Sequence, residues 1–143
     1  MKLEDIMIRK VITVSSLETV VEAAKKMREA NVGCLVVNDD RNVKGVITDR
    51  DLVVGCLGEG HNARECRVAQ HMSSPVIIAE PGWDIFEASR VMTEKQVKRL
   101  PVMQDKKLVG LVSFSDIAQA LNKPMRELLV GADATRRALL KYI

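Results

Sequence analysis

Aromatic residues are nearly missing from this 143-residue chain: one Trp, one Tyr and two Phe make up 3 % of it. An interior without rings must be filled by Val, Ile, Leu, Met and Ala, which suits strands covered by helices and points to an α/β fold. No apolar run approaches the ~18 residues of a spanning helix, and Lys2, Glu4 and Asp5 interrupt the stretch where a signal peptide would be apolar. A cytoplasmic protein without membrane contact is therefore expected. Cysteine is scarce and odd in number (Cys34, Cys56, Cys66), which argues against a disulfide framework and for reduced thiols. Neither charge sign dominates: 22 basic and 19 acidic residues are interspersed, so nucleic acid is not an expected partner. Catalytic signatures are missing as well. There is no nucleophile elbow, no Cys/His motif and no phosphate loop with its lysine, so no enzyme is expected.

What is present is a duplication. Thr48 stands 65 residues before Ser113, and Asp51 stands 65 residues before Asp116. The same ungapped offset pairs Met7 with Met72, Ala23 with Ala88, Met27 with Met92, Leu35 with Leu100, Val37 with Val102 and Gly45 with Gly110. Each copy opens with a short apolar run (residues 11–14 and 76–79) and continues with an amphipathic segment at helical spacing. In the first copy Val20, Ala23, Ala24 and Met27 form the stripe, with Ser16 as the expected N-cap; in the second it is Ile85, Ala88, Ser89 and Met92. Two apolar runs joined by a polar hairpin-like link follow, and then a second helix near residues 49–54 and 115–121. The order is β-α-β-β-α, twice. One such unit cannot bury both faces of its sheet, so the two should pack about a pseudo-twofold axis. The expected division is unit 1 at residues 5–57, an exposed linker at 58–70 with a helical turn near 63–69, unit 2 at 71–122, and a C-terminal helical extension at 123–143.

The third strand of each unit ends in one motif, Gly45-Val46-Ile47-Thr48-Asp49-Arg50-Asp51 and Gly110-Leu111-Val112-Ser113-Phe114-Ser115-Asp116. A hydroxyl at the cap position and a carboxylate three residues on describe a capping box that starts a helix. The same geometry also offers free N–H groups to an anion and a carboxylate to vicinal ribose hydroxyls. The motif alone leaves both readings open; its repetition at equivalent places favours the second.

On these residues, and on the Val97-Lys98-Arg99-Leu100-Pro101-Val102 strand and the paired Asp-Ile-Met and Gln-His-Met lead-ins, both units resemble CBS domains, the cystathionine-β-synthase type of module. Together they resemble a CBS pair, or Bateman module. That resemblance implies AMP, ADP, ATP or an S-adenosyl compound bound in the cleft between units, with no cofactor required. It further implies ribose contacts from Asp51 and Asp116 and sugar or phosphate contacts from Thr48 and Ser113. Ile12, Thr13, Ile77 and Ile78 would sandwich the adenine, flanked by Leu100 and Pro101, while Lys98 and Arg99 meet phosphate. Gly33 and Cys34 replace that cationic pair in unit 1, so the better anion site is expected around Ser113, Asp116 and Arg99. Arg50 either compensates or pairs with Asp49 or Asp51. The resemblance also implies a homodimer and a regulatory output to it or to a protein partner in trans.

Three further features have plainer expected roles. Cys56, His61, Cys66 and His71 recur every five residues, which matches neither a zinc-finger spacing nor a helix face, so no metal site is expected. Trp83 reads as a packing residue, and Arg136, Arg137 and Lys141 as a solvated helix face. The rival functions are a structural module with vestigial clefts and a thiol- or metal-responsive protein.

Overall fold

The computed structural model describes residues 1–122; the expected C-terminal extension, including Arg136, Arg137 and Lys141, lies outside the described residues. Both units are built on the expected α/β plan. Unit 1 comprises β1 (Thr13–Val14), α1 (Val20–Ala30), β2 (Cys34–Asp39), β3 (Asn42–Thr48) and a π-helical segment, Asp51–Leu57. Unit 2 comprises α2 (Ile85–Lys95), β4 (Arg99–Gln104), β5 (Lys107–Ser113) and α3 (Phe114–Leu121). Among the described residues no helix is long and apolar enough to cross a membrane.

The duplication extends to backbone detail. Helices α1 and α2 bury Val20, Ala23 and Met27, and Ile85, Ala88 and Met92, against their own sheets. Each helix then stops at a left-handed residue, Asn31 or Gln96, which suits a C-terminal turn. Both hairpins turn on two residues of positive φ, Asp40-Arg41 and Asp105-Lys106, whose twist matches that of the strands they join. Helix α1 begins at Val20, where its stripe begins and later than an N-cap at Ser16 would place it. Thr19 is its cap, accepting from the Glu22 N–H at 3.2 Å while the Glu22 carboxylate receives the Thr19 N–H at 2.6 Å. Ser16, the expected cap, gives its backbone N–H to the Asp39 carboxylate at 2.9 Å and its hydroxyl to the other oxygen of that group. These bonds hold the Asp39 carboxyl below the usual range.

The sheets differ by one strand. In unit 1, β1 runs parallel to β2, helped by the Val36 N–H donating to the Ile12 carbonyl at 3.1 Å. Pro101 stands at the place of Val36 and has no N–H to give. The run at 76–79, expected as a strand, is therefore reduced to a single bridge between Ala79 and Val102 beside the β4-β5 pair.

The lead-in segments cross between the units. Leu3 and Glu4 donate to the carbonyls of Trp83 and Pro81, both at 3.0 Å, and Ile8 exchanges two 2.9 Å bonds with Leu111 of β5. Reciprocally, Val68 and Ala69 donate to Glu18 and Ser16 at 2.8 and 3.0 Å, and Ser73 pairs with Val46 of β3. Leu3 and Met7 thus belong to the core of unit 2, whereas Val68 belongs to that of unit 1. Full burial of one such aliphatic side chain contributes about 1.5–3 kcal/mol. The linker anchors to unit 1 through the buried Val68 while most of residues 58–70 stay exposed, and its helical turn spans Val68–Gln70. The motif glycines permit this crossing: a Cβ at Gly45 would run into the Ser73 carbonyl, and one at Gly110 into Met7.

Candidate functional site

Alternation along the strands gives each sheet a second buried face. Leu35 and Val37 of β2 enter the core of unit 1, and Leu100 and Val102 of β4 enter that of unit 2. Their neighbours Val36 and Pro101 are also fully buried, yet they belong to neither core. They stand on the opposite faces of their strands, where the two units meet. Cys34 and Arg99 share those faces, and the Arg99 charge reaches the Cys34 thiol from the other unit.

The candidate residues flank this seam. In register, Cys34 lies opposite Thr48 and Arg99 lies opposite Ser113. Ser113 caps α3, its hydroxyl accepting from the Asp116 N–H at 3.1 Å and donating to the Asp116 carboxylate at 2.7 Å; that carboxylate also receives the Ser113 N–H at 2.7 Å. Thr48 and Asp51 repeat the pattern, with the Thr48 N–H donating to Asp51 at 2.8 Å and the Asp51 N–H donating to the Thr48 hydroxyl at 3.3 Å. All four are half-buried, and in each pair one carboxylate oxygen holds the box closed while the other is free of protein hydrogen bonds among the described residues.

The remaining candidates are placed unevenly. Arg99 is half-buried at the seam, but Lys98 is exposed and its carbonyl receives the Phe114 N–H at 2.9 Å. Ile12, Thr13 and Ile77 are half-buried, and Ile78 is exposed. Leu100 and Pro101 are fully buried and present no side chain to solvent in this conformation. The guanidinium of Arg50 is exposed and makes no ion pair with Asp49 or Asp51. Burial pushes the Cys34 thiol up to about 11 against the opposing pull of Arg99, so a neutral group stands in unit 1 where unit 2 carries a cation.

One cation escaped the sequence reading. Lys26 donates to the Thr13 carbonyl at 3.0 Å and pairs with Glu18 at 3.2 Å, beside the first strand of unit 1. Its signal was a break in the repeat, since Val91 occupies the equivalent place. An apolar pocket of about 240 Å³, lined by Val20, Ala24, Leu52, Leu57 and Ala63 among others, contains none of the candidate residues.

Two equivalent capped helix starts define a tandem α/β module with a duplicated candidate site. The family model for the CBS domain matches residues 3–57 and again 68–123, and the chain belongs to that family as a CBS pair. Protein MK0525 of Methanopyrus kandleri is 43 % identical over 113 residues, which are 78 % of this chain; the chain spans 58 % of that relative's length. The CBS-domain-containing protein ATU1752 of Agrobacterium tumefaciens is 27 % identical with a TM-score of 0.77, over 85 % of this chain and 100 % of that one. The CBS domain pair of protein MJ0100, solved in complex with 5′-methylthioadenosine and S-adenosyl-L-methionine, shares the fold with a TM-score of 0.75 at 24 % identity, over 85 % of this chain and 95 % of that one.

Proposed function

We propose that this CBS pair is a non-catalytic regulatory module that binds an adenine nucleotide or an adenosyl compound at the seam between its units. The observation that carries the reading is Arg99 directly across from Ser113, beside a carboxylate with one oxygen free. In this arrangement Asp116 takes the ribose hydroxyls, Ser113 and the start of α3 meet sugar or phosphate, and Arg99 with Lys98 neutralises the anion. Thr48 and Asp51 form the weaker counterpart, because Cys34 supplies no charge. The backbone and side chains around Ile12, Thr13, Ile77 and Ile78 cover the base, with Pro101 as the packed floor beneath and Leu100 behind it in the core of unit 2. A ligand held by both units favours one relative packing over another in proportion to its differential affinity, and that difference is passed to a homodimer or to a protein partner in the cytoplasm.

Thermal-shift measurements with AMP, ADP, ATP, S-adenosylmethionine and methylthioadenosine test the proposal on wild type, Asp51→Ala and Asp116→Ala. A ligand at a hundred times its Kd adds about 2.7 kcal/mol to stability. Each shift is referred to the same variant without ligand, since removing either carboxylate also opens a capping box. Asp116→Ala loses more of the shift than Asp51→Ala; an equal loss, or a greater one at Asp51, overturns the ranking. A second reading rests on the same bonds, in which each carboxylate serves its cap alone and the clefts are structural. Absence of any shift across the panel selects that reading.

A further inference from the structure

The linker that crosses onto unit 1 brings together three side chains with no part in the seam. The ligand atoms of Cys56, Cys66 and His71 all lie within 4.8 Å of one another. Cys56 sits fully buried on the π-helical segment, a form of helix that recurs at functional sites. Cys66 is fixed by main-chain bonds on both sides, accepting from the Val20 N–H at 2.9 Å and donating to the Asn62 carbonyl at 3.0 Å. His71 closes the turn after Val68, and its Nδ1 lies 3.5 Å from where a Cβ on Gly55 would stand. Its Nε2 is buried with no hydrogen-bond partner among the described residues, a state that protein interiors seldom leave uncompensated.

From this geometry we propose that Cys56, Cys66 and His71 bind a zinc ion, with His61 as the fourth ligand. Tetrahedral zinc at ~2.3 Å from sulfur and ~2.0 Å from nitrogen separates its ligand atoms by about 3.5 Å, so the cluster closes by roughly 1 Å on loading. The exposed His61 ring has its centroid 5.6 Å from that of His71, and the His61 N–H is tied to the Cys56 carbonyl at 3.0 Å. A donor set of two thiolates and two imidazoles suits zinc over magnesium or calcium, and binding releases the two thiol protons. The repeat supplies an internal comparison. At the equivalent places unit 2 carries Leu121, Met1 and Ile6, the first two of them exposed, so the same backbone plan stands in unit 2 without these donors. A disulfide between Cys56 and Cys66 would leave His71 without a role. Bound zinc would tie the linker to the π-helical segment and so fix the crossing on unit 1.

Titration of the full, freshly reduced chain with Co²⁺ and then Zn²⁺ tests the site. Wild type takes up one metal per chain, with the visible absorption of tetrahedral, thiolate-bound cobalt. Cys66→Ser, chosen because Cys66 is only half-buried, and His71→Gln each lose at least ~100-fold in affinity, the upper end of the cost of losing even an outer-shell partner. His61→Ala loses about tenfold, and an unchanged affinity there overturns the assignment of the fourth ligand. Far-UV circular dichroism establishes that each variant is folded, and a variant that fails leaves the other to decide. The site is overturned if reduced wild type ignores both metals, or if Cys66→Ser and His71→Gln bind as tightly as wild type.

Discussion

Units 1 and 2 share a backbone plan and differ in the chemistry hung on it. At the seam unit 2 has Arg99 beside its capped carboxylate, and unit 1 has the buried, neutral Cys34. Behind the sheet the contrast reverses, for unit 1 gathers two thiols and an imidazole where unit 2 has hydrocarbon. A duplicated fold constrains only what both copies need for packing, which leaves every other position free to diverge. Differences between equivalent residues are therefore better guides to chemistry than the residues the copies share.

The crossing of the lead-ins gives the strongest way to break the equivalence. Leu3 stands near the chain start, where substitutions are commonly tolerated, yet it is fully buried in the core of unit 2. Leu3→Ala is expected to cost about 2–5 kcal/mol in urea unfolding, as a core truncation does. A cost under about 0.5 kcal/mol would mean that the lead-in does not hold unit 2 together.

Next in size is the pair of motif glycines. Gly45→Ala should destabilise by about 1–3 kcal/mol, and Gly110→Ala by less, because the first meets a backbone carbonyl and the second a flexible Met7 side chain. Equal costs from chemical denaturation would remove the distinction between the two crossings.

The smallest effect separates the seam residues by pH. The thiol of Cys34 has its folded pKa raised from 9.0 to about 11, so its contribution to stability is fully present below pH 9 and is lost as pH rises through 11. Wild type should therefore lose stability relative to Cys34→Ala over that window, and parallel pH profiles of the two would show that the thiol is not held neutral by burial.

Much of this was legible before any coordinates. The 65-residue offset anticipated both hairpins, both helical stripes and the two capped motifs, because a repeated pattern of apolar positions and turn residues reports local structure directly. Other details were hidden by competition between local choices. Ser16 and Thr19 can both cap a helix, and only the position of Asp39 across the sheet decides that Ser16 is taken elsewhere. Similarly, residues 76–79 look like a strand until Pro101 faces them with no N–H to offer.

The amino-acid order alone settles the duplication, the α/β plan and the chemical inequality of Arg99 and Cys34, since these depend on residue identity and spacing. Tertiary structure decides which copy each lead-in covers, and with it the meeting of Cys56, Cys66 and His71. A segment that fits one copy of a repeat fits the other nearly as well, so its destination is set by chain reach and packing rather than by local pattern. Donors spaced five residues apart share no helix face, and they converge here because the chain turns back on itself between them.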